Sequence, residues 1–144
     1  MTSAKKPRTI GALRDSGYEV LSVRAELRRN LIAKIKTGEK LFPEIIGFAD
    51  SVIPQVENAI LAGQDIIILG ERGQAKSRLI RSMISLLDEH IPAIKDCELN
   101  DDPFKPICAP CKANIEENGD KVEVRWMGRK ERYAEKLATP DVTV

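Results

Sequence analysis

Apolar residues recur at every fourth position through Val23, Leu27, Leu31 and Ile35, with Arg and Lys between them. That is the period of a helix with one apolar stripe. Ser22 in front supplies an N-cap oxygen and Gly38 behind supplies a left-handed stop, so a helix is predicted between them, packed through the stripe with its basic side toward water. Ser51 to Ala62 repeats the pattern, with Pro54 in the first turn and Gly63 as the stop. Leu79, Ile80, Met83, Ile84 and Leu87 keep helical spacing to about His90, where Ile91-Pro92 ends the run. Two shorter helices are expected, one or two turns within Thr9 to Gly17 and another from Pro110 to Asn118 closed by Gly119.

Strand patterns are fewer. Ile66, Ile67, Ile68 and Leu69 form a continuous apolar run, three of the four β-branched, which predicts a strand buried on both faces as in a parallel sheet. Ala93 to Leu99 is a second candidate, followed by the turn Asn100-Asp101-Asp102-Pro103. Val122, Val124 and Trp126 alternate with Glu123 and Arg125, the period of a half-buried strand. Residues 1 to 8 read as a disordered lead-in, Leu41 to Asp50 as a connection, and Arg129 to Val144 as a polar remainder.

The first strand breaks into Gly70-Glu71-Arg72-Gly73-Gln74-Ala75-Lys76-Ser77, and a helix restarts there. This matches the phosphate-loop pattern G-x-x-x-x-G-K-[ST] at every fixed position but one, where Ala75 replaces glycine. Gly70 and Gly73 permit the backbone angles that aim successive N–H groups at phosphate oxygens. Lys76 then reaches the β- and γ-phosphates of ATP, Ser77 ligates Mg²⁺, and the helix N-terminus faces the anion. A methyl at Ala75 is expected to require a negative φ. The competing reading is a strand-to-helix turn that binds no nucleotide. Met83 to Glu89 imitates an apolar strand ending in an Mg²⁺-positioning Asp-Glu pair, but it lies too close to Ser77 for a strand crossing back over the sheet. Asp88 and Glu89 are therefore expected as exposed charges at a helix end.

The 144 residues suit one domain of ordinary size, with 42% hydrophobic and 31% charged residues. No apolar run is long enough to span a membrane and the N-terminus lacks a signal-peptide core, so a cytoplasmic setting is expected. The net charge of +1 hides an asymmetry: residues 1–40 carry ten Lys or Arg against four Asp or Glu, residues 88–120 three against nine. Such polarity suits packing between subunits or two solvated faces. A basic end without interleaved aromatics argues against nucleic acid.

Cys108-Ala109-Pro110-Cys111 is a C-x-x-C pair, with Cys97 and His90 upstream. Three thiols and an imidazole suffice for a tetrahedral Zn²⁺ site. Thiol redox chemistry and ordinary reduced cysteines are the alternatives, and three cysteines give no disulfide framework. His90 is otherwise expected at a helix end, where a cation is favoured.

Several stretches together resemble the start of an AAA+ ATPase of the magnesium-chelatase ATPase-subunit-like (MoxR-related) group. They are Phe42-Pro43-Glu44-Ile45-Ile46-Gly47-Phe48, the run Asp65 to Arg78, Glu98-Leu99-Asn100-Asp101-Asp102-Pro103, and Arg132 to Asp141. The resemblance covers nearly all of the chain from Thr9. It implies an α/β fold, a Rossmann-like αβα P-loop ATPase core with a helical lead-in, of which residues 9–144 are the N-terminal part. It further implies a homo-oligomeric ring, usually of six, that spends ATP hydrolysis on remodelling a partner subunit or client protein, or on metal insertion. Ile46 and Gly47 would lie near adenine, and Gly70 to Ser77 would hold ATP and Mg²⁺. Members of the group continue with an acidic Mg²⁺-positioning strand, a polar sensor and an arginine finger, none of which is found here. The chain is thus expected to bind ATP without turning it over. A non-catalytic binding module, or a small zinc module through Cys97, Cys108 and Cys111, are the other classes.

Overall fold

The computed structural model describes residues 6–48, 50–71, 73 and 75–136. Local signals place most helices where the pattern puts them. Helix α1 covers Ile10–Asp15 with the Thr9 hydroxyl capping Ala12 N–H, and α2 covers Val23–Thr37 between the Ser22 cap and Gly38 at φ 68°. Helix α3 covers Val52–Ala62 and closes on Gly63 at φ 67°. Helix α4 covers Lys76–Ser82, tightens into a 3₁₀ turn over Met83–Leu86, and ends as Leu87 turns extended. Helix α5 covers Ala109–Asn118. Among the described residues no helix is long and apolar enough to cross a membrane.

Strand positions differ from the pattern. Strand β1 is His90–Ile94 and β2 is Val124–Gly128, paired antiparallel with His90 opposite Gly128 and Ile94 opposite Val124. Helical spacing carries α4 to about His90; instead the helical run ends at Leu86 and His90 opens a strand. Pro92 is tolerated because each strand of a two-stranded sheet has an open edge. Asp65 to Leu69 joins no sheet among the described residues, so a strand covered on both faces does not form there. Ile66 and Ile68 pack on the helices, while Ile67 and Leu69 are 84% and 87% exposed. No parallel sheet assembles among the described residues, and the αβα core rests on the resemblance alone.

Two apolar clusters result. The larger joins Leu31, Phe42, Ile45, Ile53, Val56, Ile60, Leu79 and Leu86 from α2, α3, α4 and the turn between α2 and α3. The smaller joins Ile10, Ile94, Cys111, Val122 and Val124. The stripe of α2 is only partly used: Leu31 is buried and Leu27 packs beside it, but Val23 and Ile35 at its ends are exposed. Of the expected lead-in, Lys6 to Arg8 are engaged rather than loose. Trp126 Nε1 donates to Pro7 O at 2.8 Å, Val124 N donates to Arg8 O at 2.9 Å, and Lys6 lies over the Trp126 ring. Residues 1–5 lie outside the described residues.

Between the clusters sits a buried ion pair absent from the sequence reading. Glu26 on α2 receives both guanidinium nitrogens of Arg132, from the 3₁₀ turn Arg129–Arg132 after β2. The same carboxylate accepts Asp88 N–H at 2.6 Å. Asp88 in turn accepts from Arg29 and Asn30, so it is a half-buried member of a network and not an exposed helix-end charge. Burial would raise the Asp88 carboxyl, but bonds from Arg29 and Asn30, with the Arg29 and Arg132 charges, more than offset it and hold Asp88 below the usual carboxylate range.

Removing one partner of a buried pair strands the other charge, a cost of about 3 kcal/mol or more. Glu26→Gln and Arg132→Met should each lower stability by that order in urea unfolding, and Glu26→Leu combined with Arg132→Met should recover a good part of it. Single variants within about 1 kcal/mol of the parent would show that the pair does not hold the two clusters together.

Candidate functional site

The glycine loop begins where the extended segment 65–69 leaves the cover of the helices. Gly70 is at φ 156° and Gly73 at φ 84°, the latter in the left-handed region that glycine enters freely. Arg72 and Gln74 lie outside the described residues. Ala75 adopts φ 54° and ψ 17°, the opposite sign from the one its methyl is expected to need. Ala75 stands as the N-cap just before α4 starts at Lys76, and it makes no side-chain cap.

Lys76 defines the loop. Its ammonium donates to Gly70 O at 2.7 Å and to Glu71 O, so the loop bends round the charge at the head of α4. Two of its three N–H donors are used in this way. Ser77 is exposed one residue further along the helix, and Glu71 is exposed beside the loop. The structure therefore brings Gly70, Glu71 and Lys76 together and leaves Ser77 at the same helix end.

Ile46 is 88% exposed and Gly47 has φ 86°; both line a hollow of about 370 Å³ with Ile35, Ile53 and Glu57. A second hollow of about 460 Å³ runs from Pro43 and Glu44 to Arg78, Arg81 and Ser85, along the flank of α4 just past the loop.

The cysteines converge. Cys97, Cys108 and Cys111 are free thiols, and their sulfurs lie with a carboxylate oxygen of Asp101 all within 4.8 Å of one another. Cys97 Sγ and Cys108 Sγ are 3.8 Å apart. Cys108 is the N-cap of α5 and Cys111 lies in its first turn, so the C-x-x-C spacing folds both sulfurs to one side of the helix start. His90, a candidate imidazole ligand expected at a helix end, is in β1 opposite Gly128 and takes no part. Asp101 takes its place. It is 4% exposed, and its Oδ2 accepts Ile107 N–H at 3.0 Å and Cys108 N–H at 2.9 Å. The signal was present in Asn100-Asp101-Asp102-Pro103, which reads as a turn; Asp101 serves the turn and the cluster at once.

The cluster is electrostatically uneven. Asp101 N–H, 3.4 Å from Cys97 Sγ, draws the Cys97 thiol down, while burial pushes Cys111 up to about 12. Bonds from Cys111 pull Cys108 down, but Asp101, burial and Cys97 outweigh them and leave it raised. The Asp101 carboxyl is held low, chiefly by Cys108 N–H.

No known family model, no curated protein and no solved structure matches this chain.

A left-handed non-glycine residue costs about 1 to 2 kcal/mol, part of which glycine returns as unfolded-chain entropy. Ala75→Gly should therefore raise stability by roughly 0.5 kcal/mol in urea unfolding, and Ala75→Val should lower it. A midpoint that falls with glycine would contradict the left-handed geometry at Ala75.

Proposed function

We propose that the chain is the ATP-binding part of a magnesium-chelatase-like AAA+ ATPase. The observation that carries this reading is the Lys76 ammonium held by Gly70 O and Glu71 O at the head of α4. A lysine held by its own loop in this way presents a positive charge at the head of a helix, which suits the β- and γ-phosphates of a nucleotide. Ser77 stands next in the helix for Mg²⁺. The open segment Asp65 to Leu69 supports the same reading. Its main chain makes no backbone hydrogen bond among the described residues, and its exposed Ile67 and Leu69 offer an apolar face to further strands or helices. Ring assembly, and work on a partner subunit or client protein, belong with the same proposal.

Binding and turnover separate in this chain. Phosphoryl transfer depends on charge stabilisation by groups beyond the cradle, and an arginine finger alone is worth about 10³ to 10⁵ in rate. The C-terminal arginines are committed elsewhere: Arg132 to Glu26, Arg125 to Glu131 and Asn100, and Arg129 to Ser85 O.

Calorimetric titration with MgATP should show Lys76→Ala binding at least about tenfold more weakly than Lys95→Ala, since a bond to a charged group is worth about 1.5 to 3 kcal/mol. Equal affinities in folded variants would defeat the phosphate-loop assignment. In a phosphate-release assay the 144-residue chain should stay at background with MgATP. Steady turnover abolished by Lys76→Ala would mean that catalytic residues lie within it.

A further inference from the structure

We infer that Cys97, Asp101, Cys108 and Cys111 form a structural zinc site, a tetrahedral centre of three thiolates and one carboxylate. Geometry is the first argument. A Zn–S bond of about 2.3 Å sets the edge of a tetrahedral site at about 3.8 Å, and the Cys97 and Cys108 sulfurs stand 3.8 Å apart. The whole donor set fits within 4.8 Å. That span suits one ion at the centre and is too small for a cluster of several irons, whose cysteine sulfurs stand farther apart.

The donor chemistry points the same way. Three thiolates favour a soft or borderline metal, and one carboxylate oxygen is compatible with Zn²⁺ in the remaining position. The carboxylate is already oriented: N–H groups of Ile107 and Cys108 fix Asp101 Oδ2, and Asp101 N–H points at Cys97 Sγ. Metal-ligating groups are characteristically positioned by such outer bonds. The binding step balances as Zn²⁺ plus three thiols and one carboxylate giving the tetrahedral complex and three protons released to solvent, with no change of oxidation state.

The position in the fold explains what such a centre does. From Lys95 to Cys108 the chain crosses between β1 and α5 with no regular structure, passing through left-handed residues at Asp96 and Asn100. Its few local ties include Ile94 N to Asp101 O and Asn100 N to Cys97 O. Among the described residues the apolar cluster beneath it has five buried members, one of them Cys111. A zinc ion bound there cross-links both ends of the connection and its middle, stiffening the half of the molecule with the smaller core. The site is separate from the glycine loop and does not depend on nucleotide binding.

The test uses the whole chain purified with excess Zn²⁺ and dialysed. Elemental analysis should find about one equivalent of zinc, retained in Lys76→Ala and lost in the double variant Cys108→Ser, Cys111→Ser. Metal-free protein titrated with Co²⁺ should develop thiolate charge-transfer and tetrahedral ligand-field absorption that saturates at about one equivalent. Asp101→Asn, which keeps the size of the side chain, should bind at least about tenfold more weakly and shift the ligand-field bands. The Co²⁺ titration of the parent chain decides the question even if the serine variants fail to fold. Parent protein that takes up neither Zn²⁺ nor Co²⁺ would overturn the proposal, as would a Cys97–Cys108 disulfide in freshly purified protein. An Asp101→Asn variant with parental affinity and spectrum would overturn the assignment of the fourth ligand.

Discussion

The buried Glu26–Arg132 pair ties the helix of the larger apolar cluster to the turn that follows the strand of the smaller one. Glu26 sits on the helix that carries Leu31 into the larger cluster, and Arg132 follows the strand that carries Val124 into the smaller one. Desolvating both charges is expensive, and the geometry recovers it with paired bonds from one guanidinium and a third bond from Asp88 N–H. Asp88 then fixes the end of the α4 helical run against α2 through Arg29 and Asn30, and Asn30 also donates to Leu86 O. The helix that begins at the Lys76 loop is thereby anchored at its far end by the same network. A loop that must hold a charge in place benefits from a helix that cannot slide.

Features set by a few neighbouring residues were legible in the sequence. Ser22, Gly38, Gly63 and Gly119 mark helix boundaries because caps and glycine stops are local chemistry, and each borders its helix in the structure. What depends on pairing across the chain was not. His90 to Ile94 has apolar content that fits a helix or a strand, and only its partner at Val124–Gly128 decides between them. For Asp65 to Leu69 the pattern names a strand, but a strand needs neighbours, and none pairs with it among the described residues. Glu26 was hidden for another reason: a lone acid on a basic helix reads as surface charge until Arg132, more than a hundred positions away, is placed against it.

The two candidate sites divide in the same way. Spacing alone brings Cys108 and Cys111 together at the start of α5 and sets Lys76 at the head of α4, because both are motifs within one turn of a helix. Ligands contributed by other segments escape such reasoning. His90 has suitable chemistry for the fourth position near the thiols, but strand pairing carries it away, while Asp101 is delivered by the turn that follows Cys97. Ala75 shows the limit of residue preference as a guide. Its methyl argues for negative φ, and the geometry of entering α4 overrides that preference at a modest cost.

The state of Lys76 bears on how a phosphate group would be received. An ammonium satisfied by two loop carbonyls is held in one place before any ligand arrives, so little side-chain entropy remains to be lost on binding. The same contacts draw the Gly70 and Glu71 carbonyl oxygens toward the lysine, where they would otherwise repel an anion. On the nucleotide-binding reading proposed above, the remaining ammonium donor is the one left for a phosphate oxygen. Replacing Lys76 would then remove more than a bond to the proposed ligand, because it also frees the Gly70 and Glu71 carbonyls. On that proposal the lysine would act twice, first as the internal strut bonded to Gly70 O and Glu71 O and then as the charge offered to phosphate.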